Sequence, residues 1–98
     1  MRQPSSRDIY KVAASMGLDS IRIDGNDVET VYLTTQSALD SVRSGNGPYL
    51  IEAMTYRWVE HCGPNYDNHI GYRTEEEYLN WKKKDPVATF EEKLLKET

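Results

Sequence analysis

A chain of 98 residues suffices for one small domain, and with 38% hydrophobic residues it has little apolar surface to spare for a core. Its formal net charge of −4, from 12 Lys and Arg against 16 Asp and Glu mixed along the chain, argues against the basic face of a nucleic-acid binder. One cysteine cannot form an intramolecular disulfide, no apolar run approaches the roughly 20 residues that span a bilayer, and the polar N-terminus lacks a signal-peptide core, so a cytoplasmic protein without nucleic-acid or membrane partners is expected.

From Ser6 to Met16, Ile9, Val12, Ala13 and Met16 recur at three- and four-residue intervals, which predicts a short amphipathic helix with Ser5 or Ser6 as cap and Gly17 as stop. Leu18 to Asp24 alternates Ile21 and Ile23 with polar neighbours and reads as a strand. The following Asp24-Gly25-Asn26-Asp27 reads as a turn and a helix cap rather than a Mg-binding motif. A second helix carries Val28, Val31, Tyr32, Thr35, Ala38, Leu39 and Val42 at helical spacing, until Ser44-Gly45-Asn46-Gly47-Pro48 ends it. Tyr49 to Tyr56 predicts a second strand, apolar enough for burial on both faces. Strand, helix and strand make a βαβ unit with a parallel pair, whose functional groups are expected beyond the carboxyl ends of the strands. Thr74 is placed to cap a helix from Glu75 to about Lys84, acidic at its start and basic at its end, as the helix dipole favours. Asp85-Pro86 opens a last helix with Val87, Phe90, Leu94 and Leu95 as its inner face. Arg22 and Arg43 read as solvated.

The segment from Glu52 to Arg73 concentrates chemistry: Arg57, Glu60, His61, Cys62, Asp67, His69 and Arg73 fall where a strand runs into a loop. A metal site from His61, Cys62, Asp67 and His69 has the right ligand types, but adjacent His and Cys cannot easily reach one ion and no CxxC or HExxH spacing is present. A Cys62 nucleophile with a histidine base is a matter of geometry that sequence neighbours seldom satisfy. The plain alternatives are a loop histidine bonded to a backbone carbonyl and a small buried cysteine. Trp58 and Trp81 read either as interface anchors or as the floor of the loop.

The ordered set IRIDGNDVETVY, GPYLIEAMTYR, a histidine-bearing loop and GYRTEEEYLNWKKKDPVATFEEKLL closely resembles the carboxyl-terminal third of the alpha subunit of thiamine-diphosphate-dependent 2-oxo acid dehydrogenases, the pyruvate, branched-chain and acetoin group. The likeness runs from about Ser6 onward. It implies an α/β fold: a βαβ unit from a parallel, doubly wound thiamine-diphosphate-binding fold, flanked by helices, with two C-terminal helices, residues 1–98 forming a single partial domain. It also implies an enzyme in which thiamine diphosphate and Mg lie between alpha and beta subunits, a 2-oxo acid is decarboxylated, and an acyl group passes to a lipoyl arm. Arg57 matches the family's cofactor-binding arginine over the diphosphate. His61 matches the loop histidine, catalytic and cofactor-binding, near the reacting carbon. Tyr72 and Arg73 match a pair that orders the loop, and Asp67 is a partner for one of the arginines. An arginine fork suits phosphate oxygens and a histidine suits proton transfer near neutral pH.

Three departures stand out. Relatives read Gly-His-Ser where this chain has Glu60-His61-Cys62, and Cys62 cannot accept the phosphate that regulates the serine. The loop from His61 to Tyr72 is about two residues longer, and Glu60 brings a negative charge that favours an imidazolium beside it. No GDG motif for gripping Mg and diphosphate occurs, so the expectation is a carboxyl-terminal or separately encoded piece, with no metal ligand and no cofactor bound to this chain alone. Its expected partners are the upstream part of the alpha subunit, a beta subunit and a lipoyl-bearing acyltransferase, with self-association through open sheet edges in isolation. A non-catalytic interaction domain docking on a partner subunit is the alternative.

Overall fold

The computed structural model describes residue 4 and residues 6–98, so the capping role expected of Ser5 lies outside the described residues. The chain divides into two compact units, Met1–Met54 and Thr55–Thr98.

The first unit is the expected βαβ arrangement preceded by a helix: α1 (Ile9–Ser15), β1 (Asp19–Asp24), α2 (Val28–Arg43) and β2 (Tyr49–Met54). The two strands pair in parallel, in register from Asp19 opposite Tyr49 to Asp24 opposite Met54. Helix α2 forms where the sequence carries its signals. Asp27 accepts the backbone N–H groups of Glu29 and Thr30, both at 3.1 Å, filling two of the bonds a helix start leaves open. The preceding turn is set by Asp24, whose Oδ1 accepts Asn26 N–H at 2.9 Å. Gly25 fits because a Cβ there would stand 2.8 Å from the Met54 carbonyl oxygen, which accepts Gly25 N–H at 2.7 Å and extends the ladder past the strand end.

Helix α1 begins later than its apolar spacing suggests. Its N-cap is Asp8, not Ser6, and the Asp8 side chain makes no capping bond, because it pairs with Lys11 Nζ at 2.6 Å and Arg22 Nη1 at 2.8 Å. The helix ends as expected at Gly17, whose φ of 83° allows its N–H to reach Ala14 O while Leu18 N–H reaches Ala13 O. Both helices pack on both strands, around a core of Ala13, Ile23 and Ala38.

Arg22 corrects the expectation of a solvated side chain. It lies opposite Glu52 in the parallel register and binds it through Nε (3.0 Å) and Nη2 (3.2 Å). The alternation of β1 places Ser20 and Arg22 on one face, where Ser20 Oγ donates to Tyr10 O at 2.6 Å and the Arg22 guanidinium lies 5.2 Å from the Tyr10 ring. The fork holds the Glu52 carboxyl below its usual range, and Lys11, with Arg22, does the same for Asp8. The burial of β2 on both faces is also corrected: Tyr49 to Glu52 are half-buried and Ala53 and Met54 exposed, because a two-stranded sheet leaves each strand with an open edge.

The second unit carries the loop, a 3₁₀ turn at Asn68–Ile70, α3 (Glu75–Lys82) and α4 (Pro86–Glu97). Thr74 Oγ1 caps α3 by accepting Glu77 N–H at 3.1 Å, and Asp85 caps α4 by accepting Val87 and Ala88 N–H. Helix α3 closes at Lys82, two residues short of the expected Lys84. The face of α4 expected to turn inward is only partly covered: Phe90 is half-buried, but Val87 is 76% and Leu95 70% exposed. The interior of this unit is aromatic. Tyr56 stacks on Trp81 at 5.9 Å, while Trp58 and Tyr66 meet Tyr78 edge-on at 6.1 and 5.4 Å. Lys82 Nζ stands 4.6 Å over the Trp58 ring, so part of the lysine run at the end of α3 shields the aromatic floor.

Candidate functional site

The chemistry-bearing residues of the loop converge on one buried ion pair. Asp67 and Arg73 are 5% and 6% exposed, and Arg73 Nη2 donates to Asp67 Oδ1 at 2.7 Å. A pair this deep is costly unless its other hydrogen-bonding groups are satisfied, and here most are, although Arg73 Nε is buried without a hydrogen-bond partner. The Tyr72 hydroxyl donates to Asp67 Oδ2 at 2.5 Å, and Arg73 Nη1 donates to the Arg57 carbonyl. Arg73 also lies over the Tyr56 ring at 4.8 Å and over the Tyr72 ring at 5.3 Å, so its cation contacts two aromatic faces. The Tyr72 hydroxyl, with Arg73 adding to it, holds the Asp67 carboxyl below its usual range against the upward push of burial. Burial works against the charge on Arg73, but the Asp67 carboxylate prevails and holds that group above its ordinary value. Asp67, Tyr72 and Arg73, expected to order the loop, are thus brought into one network.

Arg57 and His61 stand at the exposed rim of that network. Arg57 Nε donates to Val59 O at 2.7 Å, Nη2 donates to the Tyr72 hydroxyl at 3.2 Å, and Nη1 lies 3.4 Å from His61 Nδ1. These bonds use three of the five N–H groups of a guanidinium, and the remaining two are available to an anion. The two residues assigned to the cofactor are therefore neighbours, four positions apart along the loop.

Other candidates fall elsewhere. Asp67 is committed to Arg73 and Tyr72, His69 sits exposed in the 3₁₀ turn, and no group of three or more His, Cys, Asp and Glu side chains that could hold a metal is gathered among the described residues. Cys62 is exposed, which corrects the alternative of a small buried filler. Glu60 turns its carboxylate to Asn65, accepting Nδ2 at 2.7 Å, while Glu60 N–H donates to Asn65 O at 2.9 Å. The charge expected to act on His61 is thus engaged in closing the loop tip. A side chain at Gly63 would meet that carboxylate at 2.6 Å.

Three contributors went unread in the sequence. Val59 acts through its carbonyl, for which no side-chain signal exists. Asn65 and Asn68 carry no signal that sets them apart from other loop residues, yet Asn65 pins Glu60, and buried Asn68 donates to the Tyr66 hydroxyl (2.9 Å) and Glu75 Oε2 (3.1 Å), tying the 3₁₀ turn to α3. The spacing of Asn68 from Glu75, seven residues across Gly71 and Thr74, carries no periodic signature.

Comparison with known proteins agrees with the ordered motifs. The chain is 38% identical over 91 residues to the pyruvate dehydrogenase E1 component subunit alpha of Acholeplasma laidlawii, covering 93% of this chain and 26% of that protein. It is 38% identical over 89 residues to the subunit of the same name from Staphylococcus aureus strain Mu50, covering 91% and 24%. The counterpart from Staphylococcus epidermidis is 36% identical over 93 residues, covering 95% and 25%. The chain spans about a quarter of the length of these relatives. No solved structure matches it. The family model of the dehydrogenase E1 component matches residues 1–98, and the chain belongs to that family.

Proposed function

We propose that this chain supplies one wall of the active site of a thiamine-diphosphate-dependent 2-oxo acid dehydrogenase, with Arg57 binding the cofactor's diphosphate and His61 acting at the reacting carbon. The observation that carries the reading is the Arg57–His61 neighbourhood, a fork-shaped cation and an imidazole 3.4 Å apart on the exposed rim of a loop in an E1-family chain. The donor set fits the cofactor: diphosphate oxygens only accept, and Arg57 has N–H groups beyond those its internal bonds use. When bound, thiamine diphosphate supplies the nucleophilic carbon and the electron sink for decarboxylation. The reading assigns no Mg ligand to the described residues.

In this scheme Arg57 offers charge-assisted hydrogen bonds to phosphate, held in place by the Val59 carbonyl and the Tyr72 hydroxyl. His61 exchanges a proton with the substrate's oxygen atoms, and Asp67, Tyr72 and Arg73 keep the loop in one shape, so that little ordering is required on binding. The lipoyl disulfide of an acyltransferase would take up both the two electrons and the acyl group, leaving one sulfur as a thioester and the other as a thiol. The cofactor cleft is completed by a beta subunit and the upstream part of the alpha subunit, and the isolated chain is inactive and self-associates through the open sheet edges. The relatives named as pyruvate dehydrogenase subunits make pyruvate the first 2-oxo acid to test, and a cytoplasmic setting goes with the reading.

The test assembles the chain with the rest of the alpha subunit and a beta subunit and follows 2-oxo acid decarboxylation. His61→Ala should lower turnover by about 10²–10⁴-fold, the usual worth of a positioned proton-transfer group. Arg57→Ala should raise the thiamine diphosphate concentration needed for half-maximal activity. Unchanged turnover in His61→Ala would remove the catalytic role from that residue.

A further inference from the structure

Hydrogen bonds have a direction, and in this loop the direction is dictated by the groups themselves. A carboxylate only accepts, a guanidinium only donates, and a phenol has one proton to give and lone pairs to receive. The Tyr72 oxygen lies 2.5 Å from Asp67 Oδ2 and 3.2 Å from Arg57 Nη2. Its single proton must go to the carboxylate, and its lone pair must take the Arg57 N–H. The buried Asp67–Arg73 pair holds that carboxylate in place, so the polarity begins in the interior and runs outward through Tyr72 to Arg57.

The planar Arg57 group is fixed by its bonds to Tyr72 and to Val59 O, which aims Nη1 at His61 Nδ1, 3.4 Å away. Nη1 has no lone pair to offer, so it can only donate. We propose that Tyr72 is a positioning residue that, by orienting Arg57, sets the tautomer of His61: Nδ1 accepts from Arg57, and when the ring carries one proton that proton sits on Nε2. The ring edge left for a ligand is then an N–H donor. His61 meets its ligand as a hydrogen-bond donor to an oxygen acceptor, of the kind a carboxylate or carbonyl provides. The identity of that acceptor as a 2-oxo acid rests on the function proposed above, while the tautomer rests on the loop alone.

The chain holds two histidines, so ¹⁵N-histidine labelling gives two ring systems, and His69→Gln assigns them. Two-bond ¹H–¹⁵N correlation spectra at a pH where the ring is singly protonated then read the tautomer directly. The expected pattern for His61 is a bare Nδ1 and a protonated Nε2, relaxing in Tyr72→Phe towards the exchange-averaged pattern of free imidazole. Arg57→Ala, which leaves the Tyr72–Asp67 bond untouched, should relax it in the same way even if Tyr72→Phe loosens the loop. A protonated Nδ1 in the parent chain, or a pattern unmoved by Arg57→Ala, overturns the proposal. A pattern unmoved by Tyr72→Phe removes Tyr72 from it. Because the spectra need neither cofactor nor substrate, an assembled enzyme that failed to decarboxylate any 2-oxo acid would strike the function and leave the tautomer standing.

Discussion

Glu52 on β2 caps a helix that begins 43 residues before it: its Oε2 accepts the Tyr10 backbone N–H of α1 at 3.1 Å. The carboxylate can do so because Arg22, its register partner on β1, holds it there with a two-point fork, while Asp8, the residue at the N-cap, is taken by Lys11 and the third arm of Arg22. One arginine thus joins the first helix to both strands.

Glu52→Ala should therefore free the Tyr10 amide. Hydrogen exchange at that amide is expected to accelerate on the order of tenfold, the usual effect of losing one charge-assisted bond, with Glu52→Gln in between because its amide oxygen still accepts. Arg22→Lys should resemble Glu52→Ala, since an ammonium cannot supply the fork. An unchanged Tyr10 amide in all three variants would disprove the bridging role.

The loop should be sensitive to acid in a defined window. Asp67 has a lowered carboxyl pKa in the folded loop, so its contribution is fully present above the unfolded value of about 3.9 and is lost as pH falls through the lower folded value. Protection of the Ile70 amide, which donates to Asp67 O, should be flat from neutral pH down to that region and then fall. Asp67→Asn should abolish this step, and a fall centred near neutral pH would point to another group.

Core substitutions test how thin the first unit is. Ile23 is 8% exposed and one of three buried apolar residues among those described, so Ile23→Ala should cost about 2–4 kcal/mol in urea unfolding. Ala38→Leu should also destabilise, by about 1–3 kcal/mol, since Ala38 is buried and a larger side chain there would overpack its surroundings. Neutral or stabilising results would show that the sheet face is not packed as described.

Removing the caps gives a smaller, local effect. Asp27→Ala and Thr74→Ala should each lower stability by about 1 kcal/mol, whereas Asp27→Asn should be nearly silent. Helix content measured by circular dichroism during thermal melts will separate these outcomes.

Elements defined by adjacent residues were readable in the sequence. The Asp27 cap, the Asp24 turn, the Thr74 and Asp85 caps and the parallel pair all follow from signals within a few residues or from the order of strand, helix and strand. What escaped depends on distant partners. Arg22 looked solvated because Glu52 lies 30 residues away, and the start of α1 shifted because Asp8 answers to an arginine on another element. The apolar periodicity of α4 is real but does not say what covers it. In the loop, the residue types of Arg57, His61, Asp67, Tyr72 and Arg73 stood out, yet only the fold revealed that Asp67 chooses Arg73 and that Glu60 turns towards Asn65.

Both tryptophans of the chain, Trp58 and Trp81, belong to the aromatic cluster of the C-terminal unit, while tyrosines occur in both units. Emission excited where only indole absorbs is accordingly a private signal of residues 55–98. A denaturation curve recorded that way, set beside one from far-ultraviolet ellipticity, will tell whether the loop-bearing half and the βαβ half melt together or in turn, with no label and no substitution.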